Sequence, residues 1–487
     1  MTANNRSGPE DYTSFLYRKL HEGADHGFDP INLPDSLFDF QKFLVTWALR
    51  RGRAAILADT GLGKTLMELA WADNVVRKTN RPVLLLTPLA VAPQTVREAE
   101  KFGIQACHAA RGIAGNMINV VNYERLHLFD SRDFAGVVCD ESSILKSYMG
   151  ATRQEITRFV NKIPYRLLAT ATAAPNDWVE LGTSSEALGE LSHSDMLRRF
   201  FAQLDDKGQK RERAKQDEAE QIIAADPSYF LKLSFRVSQS IGQWRLKHHA
   251  VGHFWRWVAS WARACRLPSD LGFDDGGYLL PPLIEKDHLI AVEGTRPGYL
   301  FNMPAIGLGE EREERKRTLR QRCEFAADLV NHDRPAVVWC QMNAEGDLLE
   351  QLIPDAQQIA GSTPEAKKLE LYEAFTNGDL RVMVIKPKIG AWGLNWQHCN
   401  HVVTFATHSY EQYYQSVRRC WRFGQQRPVQ LDVIATEGEE RVLTNMRNKG
   451  HKADIMFQRM IAEMNNSLTI ATPNLYTKNA ELPSWLS

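Results

Sequence analysis

Residues 54–65 read Ala-Ala-Ile-Leu-Ala58-Asp59-Thr60-Gly61-Leu62-Gly63-Lys64-Thr65, and the amphipathic stretch Thr65–Lys78 follows without a break. No other feature restricts the fold as much. An apolar strand that turns through two glycines straight into a helix aims backbone N–H groups and a helix N-terminus at one point, which makes an anion cradle. The pattern fits G-x-x-x-x-G-K-[ST] except that Ala58 stands at the first glycine. Gly61 and Gly63 let the backbone come close to phosphates, with Asp59, Thr60 and Leu62 completing the loop. Lys64 then reaches the outer phosphate oxygens and Thr65 offers its hydroxyl to Mg²⁺.

Such a loop needs an acidic partner at the end of a neighbouring strand, and Val137-Val138-Cys139-Asp140-Glu141 supplies it. Asp140 is expected to hold Mg²⁺, and Glu141 to orient or deprotonate the attacking water. Around both motifs, short apolar runs alternate with helical patterns. The expected strands are Ala54–Ala58, Val83–Thr87, Ile118–Asn122, Val137–Cys139 and Arg166–Ala169, with Gln94–Phe102 another helix. The rhythm resumes with Ala336–Cys340, Gln357–Ile359, Val382–Ile385, His401–Phe405 and Gln430–Ala435. Alternating units of this kind predict α/β architecture, with parallel sheets covered by helices on both faces. The expected layout is a lead-in over 1–34, a lobe over 35–190, a mainly helical insertion over 191–310, a second lobe over 311–470 and a tail over 471–487. Within it, Glu310–Arg322 reads as an exposed helix, because Glu311/Arg315 and Glu313/Arg317 stand at i,i+4.

Further motifs bring in a family. The chain resembles the superfamily 2 helicase-type ATPases, Swi/Snf-like branch, over roughly Leu37–Ile461 apart from the insertion; the alanine at 58 is part of that branch's loop. Phe40-Gln41, Thr87-Pro88, Asn122-Tyr123-Glu124, Thr170-Ala-Thr172…Asn176, Trp339-Cys-Gln341, Gly361-Ser362-Thr363, Gly390-Ala-Trp-Gly393-Leu-Asn395 and Gln415-Ser-Val-Arg-Arg419-Cys-Trp-Arg422-Phe-Gly-Gln425 stand in the family's order. The resemblance implies two RecA-like P-loop lobes that close on ATP and Mg²⁺. It implies that Gln41 reads the adenine edge, that Gly393 adjoins the nucleotide, and that Gln415, Arg419 and Arg422 form the arginine-finger motif. It also implies nucleic-acid contacts at Thr87, Pro88, Asn122, Tyr123, Thr170, Thr172, Gly361, Ser362 and Asn395. An arginine finger is worth roughly 10³–10⁵ in rate, and Arg419 and Arg422, three apart, share one helical face. The chain departs from the pattern at Ser143, where histidine is common, at Ala173 for proline, and at Lys386-Pro387.

Composition adds little about partners, because Lys+Arg and Asp+Glu both total 59. Any nucleic-acid surface must come from local segregation. Residues 227–269 contain no Asp or Glu, yet carry Arg245, Lys247, five further Lys or Arg, and four tryptophans. A basic aromatic stretch suits phosphates and stacked bases. However, Phe254, Trp257, Val258, Trp261 and Cys265 fall on one helical stripe and are expected in a core. Trp244 and Trp255 are left as either contacts or packing. His248, His249 and His253 lack partnering Cys or carboxylates, so no metal is expected there.

The seven cysteines form no Cys-x-x-Cys pair, and no apolar run nears the roughly 20 residues of a membrane span. A reducing, cytoplasmic setting is expected. Three functions are open: DNA-stimulated translocation, with duplex DNA favoured as the track; strand separation on DNA or RNA; and a nucleotide-dependent clamp. The loop Pro268–Gly272 and the end Leu482–Leu486 resemble helicases encoded by bacteriophages, which would place the partners among phage or host replication and recombination proteins.

Overall fold

The computed structural model describes residues 26–88, 91–109, 112, 115, 117–146, 151–171, 178–225, 243–291, 308–390 and 395–470. Thr172, Asn176, Trp392, Gly393, the Pro297–Gly298 turn, most of the lead-in and the tail lie outside them.

The five expected strands of the first half form, three of them longer by one residue: β1 (Arg53–Ala58), β2 (Val83–Thr87), β4 (Ile118–Asn122), β5 (Gly136–Cys139) and β6 (Tyr165–Ala169). The short β3 (Ala106–His108) joins them. β1, β2, β4 and β5 are almost wholly buried, as strands covered on both faces must be. The five of the second half also form: β11 (Ala336–Trp339), β12 (Ala356–Ile359), β13 (Val382–Ile385), β14 (His401–Phe405) and β15 (Val429–Thr436). Every pairing within the two large sheets is parallel. Helices flank both sheets, giving the two RecA-like lobes.

The segment 191–310 does not stand apart as a helical insertion. It does hold an antiparallel pair, β7 (Phe201–Gln203) with β8 (Trp244–Leu246). However, β9 (Ala262–Cys265) pairs with β1 at the edge of the first sheet, giving the order β3-β4-β2-β5-β6-β1-β9. β10 (Leu283–Ile290) then pairs with β15 over eight residues at the edge of the second, giving β10-β15-β14-β11-β13-β12. The segment therefore completes both sheets. Neither strand shows the alternation or the apolar run that betrays a strand: β9 is four residues long, and β10 is largely exposed.

The helix Val251–Trp261 carries the expected stripe: Phe254, Trp257, Val258 and Trp261 are buried in the first lobe's core. Trp255 is packing too, at 1% exposure and edge-on to Trp178. Trp244 packs on the same core. The neighbouring cations are engaged within the protein: Arg245 pairs with Glu212 at 3.0 Å, and the Lys247 ammonium donates to the carbonyls of Arg198 and Arg199. Lys232 and Arg236 lie outside the described residues.

The charged helix expected over Glu310–Arg322 is two helices, Leu308–Arg317 and Leu319–Leu329, and it is not exposed on that face. Glu311 takes His408 as partner, Arg315 takes Glu439, and Glu314, 1% exposed, accepts from Thr436. Tertiary partners replace the Glu311/Arg315 pair because this face meets the segments that follow β14 and β15, while Arg317 pairs with Glu314 in its own helix. Arg322 is fully buried against Glu345 at 2.7 Å, with its guanidinium over Phe405. Glu345 in turn accepts from the Gln341 and Met342 N–H groups at a helix start. Removing one partner of a buried pair costs about 3–5 kcal/mol. Arg322→Met is therefore expected to lower the thermal midpoint by about 10 °C; an unchanged midpoint would show the pair to be neutral.

The helix Glu440–Ile470 spans about 46 Å at 1.5 Å per residue. Val442, Leu443 and Met446 sit in the second lobe's core, whereas Met456, Met460, Ile461 and Met464 sit in the first lobe's core beside Trp257 and Trp261. One helix thus packs into both cores. Between the two sets lies Gly450, where a Cβ would come within 2.8 Å of the Tyr410 ring. Among the described residues, no helix is long and apolar enough to cross a membrane.

Candidate nucleotide site and interlobe groove

β1 delivers the phosphate loop. Gly61 and Gly63 take φ of 93° and 76°, the left-handed region that glycine tolerates best. Space forbids anything larger: a Cβ on Gly63 would lie 2.3 Å from the Gln41 amide nitrogen. Gln41 is 3% exposed, donates to the Leu62 carbonyl at 2.8 Å and accepts from the Phe38 N–H at 2.9 Å. It fastens the loop to the start of the helix Asp39–Arg51, so its carboxamide already serves the protein, beyond the adenine-reading role that the resemblance implies. The Lys64 ammonium rests on the carbonyls of Ala58 and Asp59 at 3.0 and 3.2 Å. Thr65, half-buried, follows in the first turn of the helix Lys64–Thr79.

β5 delivers the acids. Asp140 and Glu141 are 8% and 9% exposed, and Glu141 holds φ of 49°. That conformation is uncommon for a residue with a side chain, and such strain collects at functional sites. Burial, then the neighbouring Glu141, pushes the Asp140 carboxyl up to about 7. Beneath it lies Glu68, 1% exposed, which the sequence reading passed over. Burial first, and then Asp140, raises the Glu68 carboxyl well above the usual range. Its signal was an acid inside the buried run Leu66–Val75, which also holds Asp73; Asp73 pairs with Arg77, whereas Glu68 has no such partner.

The second lobe supplies the counter-charge. Arg419 and Arg422 leave the end of the helix Tyr410–Val417 and line, with Lys64, Thr65, Asp140 and Glu141, one cavity of about 320 Å³. Gln41, Thr60, Gly61 and Gly63 line it too. Gln415 is fully buried, and its side-chain oxygen accepts from Arg419 at 2.9 Å, so it positions the guanidinium. Burial lowers Arg419 to about 10; burial and Arg419 together lower Arg422 to about 9. Asn395, expected at a nucleic-acid contact, accepts from Arg422 and lines this same cavity. At the far end Phe38, Tyr278 and Phe423 form an aromatic wall, with Tyr278 and Phe423 centroids 4.6 Å apart.

Asp59 departs from its expected place beside the nucleotide. Its carboxylate crosses to the second lobe, where it pairs with Arg418 and accepts from the Tyr414 hydroxyl. Burial alone would raise its pKa, but Arg418 and the Tyr414 hydrogen bond together hold it below the usual range. The Arg418 guanidinium also lies over the Tyr414 and Trp421 rings. Arg418→Ala, which strands a buried carboxylate, is expected to destabilise by more than Asp59→Asn with Arg418→Leu together. A double-mutant cycle on thermal denaturation should give a coupling of about 2–3 kcal/mol; additive effects would dismiss the pair as a tie between lobes.

Four of the eleven expected nucleic-acid residues, Pro88, Asn122, Tyr123 and Gly361, line a separate interlobe groove of about 720 Å³, together with Lys368 and Lys388. Ser362 is exposed next to Gly361. Thr87 is fully buried at the end of β2, too deep to touch a strand directly. Thr170, 2% exposed, donates to the Glu141 carboxylate at 3.4 Å and stands between the two sites. Tyr123 also links them: it lines the groove while its hydroxyl donates to the Asp140 carbonyl at 2.6 Å. Glu141 borders both cavities.

The residues present fit ATP with Mg²⁺. Asp140, with Glu141 and Glu68 acting on its charge beside Lys64, favours a cation, and two left-handed glycines open the loop backbone to phosphate. Two parallel sheets, a phosphate loop on one lobe and facing arginines on the other define a two-lobed P-loop architecture. Residues 319–424 match the family model described as helicase conserved C-terminal domain, a span that includes Gln415, Arg419 and Arg422. The chain is also 29% identical over 203 residues to the DNA annealing helicase and endonuclease ZRANB3 of Mus musculus, covering 38% of this chain and 18% of that protein. The Bos taurus protein of the same name is 28% identical over 195 residues, covering 36% and 17%. The chain thus spans less than a fifth of these curated relatives. Together the match and these partial similarities support a superfamily 2 helicase.

Proposed function

We propose that this chain hydrolyses ATP with Mg²⁺ and couples the cycle to translocation on DNA, with duplex as the favoured track. One observation carries the reading: Lys64, Asp140 and Glu141 of one lobe and Arg419 and Arg422 of the other line a single cavity. Bound Mg²⁺ would supply charge neutralisation between the phosphates, held by Thr65 and Asp140. Lys64 exchanges its carbonyl partners for phosphate oxygens, and Glu141 orients the attacking water. Arg419, held by Gln415, meets the charge that develops on the transferred group. The Tyr123–Asp140 and Thr170–Glu141 bonds give the groove a route to these acids.

DNA as the track is supported by the relatives' names and by the family resemblance. A role in bacteriophage replication or recombination rests on that resemblance alone. The test is ATP turnover with single-stranded DNA, duplex DNA and RNA as separate activators. Duplex should stimulate most. A maximum with single strands or RNA would indicate strand separation instead, and equal, unstimulated rates in all three would sink the motor.

A further inference from the structure

Glu68 is a buried acid with no hydrogen-bond partner of normal geometry in the fold. It lies one helical turn beyond Lys64 and Thr65, so all three share one face of the helix Lys64–Thr79. At 1% exposure its two oxygens are shut off from solvent. Neither makes a hydrogen bond of normal geometry; the Asp140 carboxyl lies beside it and acts on its charge. Arginine does not reach it, and Lys64 is occupied by the loop carbonyls. An isolated buried carboxylate costs several kcal/mol, and the same helix position would accept methionine or leucine among Leu66, Met67 and Leu69. Retention of an acid here calls for a cation or its hydration shell.

No three acids among the described residues converge closely enough to hold a metal ion by themselves. Direct ligation by Glu68 together with Asp140 and Glu141 is therefore not the geometry on offer. Mg²⁺ favours another arrangement, since it sheds water reluctantly and is usually bound through one or two protein oxygens, phosphates and retained waters. We infer that Glu68 is a positioning residue for Mg²⁺: its carboxylate accepts hydrogen bonds from water retained by the ion whose inner protein contacts are Thr65 and Asp140. This rests on the ATP-site reading above and adds a residue that sets how strongly the site prefers the nucleotide's Mg²⁺ complex to the free nucleotide.

The experiment compares ADP affinity with and without Mg²⁺, by calorimetry, in the full chain and in Glu68→Gln and Glu68→Met. Mn²⁺ titrated against the ADP complex and followed by its paramagnetic resonance gives a second readout. Loss of an outer partner typically costs 10–100-fold in metal affinity. Both variants should therefore lose about tenfold of the Mg²⁺ enhancement while affinity for ADP alone stays put, and Mn²⁺ binding should weaken in parallel. Glu68→Met should also raise the thermal midpoint of the nucleotide-free protein, which separates the effect from misfolding. If Glu68 is only a neutral packing acid, both variants keep the full Mg²⁺ enhancement, and the inference falls while the ATP site stands. If the unaltered chain binds no ADP, both readings fall together.

Discussion

Arg419→Ala lowers DNA-stimulated ATP turnover by about three orders of magnitude, while leaving ADP affinity within a few-fold of the parent. The expectation follows from where the charge is needed. Arg419 is 2% exposed, fixed by the Gln415 side chain, and faces Asp140 and Glu141 across the cavity. Its guanidinium is therefore desolvated in advance and needs no reorganisation when charge spreads over the transferred group. Removing an arginine finger costs roughly 10³–10⁵, whereas the ground-state diphosphate is held mainly by the loop backbone. Gln415→Ala, which leaves the arginine but frees its orientation, should fall between the two. Turnover within tenfold of the parent for Arg419→Ala would remove it from the catalytic set and shift the role to Arg422.

Lys64→Ala should abolish turnover and weaken nucleotide binding, yet leave DNA affinity measured without nucleotide largely intact. The interlobe groove is lined by Pro88, Asn122, Tyr123, Lys368 and Lys388 and shares no cation with the phosphate loop. The Lys64 ammonium is within reach of two carbonyls of its own loop, so its loss takes away charge without opening the core. Filter binding of labelled duplex at fixed salt would separate the two effects, because phosphate contacts are salt-dependent. A parallel collapse of DNA affinity would mean that the loop and the groove are one site. Surviving hydrolysis would refute the nucleotide site altogether.

How far the sequence could be read depended on whether a feature was local. The strands from Ala54 to Ala435 announced themselves as short apolar runs because a sheet buried on both faces demands them. The phosphate loop and Asp140-Glu141 were legible because spacing alone places them at neighbouring strand ends. The elements missed are those whose identity comes from a distant neighbour. β9 is a strand only because β1 offers it an edge, and β10 only because β15 does. The Glu311 and Glu313 pattern suggested an exposed helix, but docking on the segments that follow β14 and β15 outweighed helix-surface pairs worth a few tenths of a kcal/mol each. Asp59 looked like a nucleotide residue from its place in the loop. Its partner Arg418 lies 359 positions away, a distance that no local pattern reports. The acid-free stretch over 227–269 is a different case: local composition does not reveal that Arg245 and Lys247 already have partners within the protein.

The helix Glu440–Ile470 has a mechanical consequence. Two bodies joined by a single flexible strand can swing and turn in every direction. Here the chain passes from one lobe to the other between β9 and β10, and passes back within one continuous helix whose ends are anchored in opposite cores. Two separated crossings remove most of that freedom and leave rotation about the line through both. Opening and closing of the cleft must then be torsion about a fixed axle, with the glycine at 450 against the Tyr410 ring as its most yielding point. The farther a residue lies from that axle, the larger the arc it sweeps.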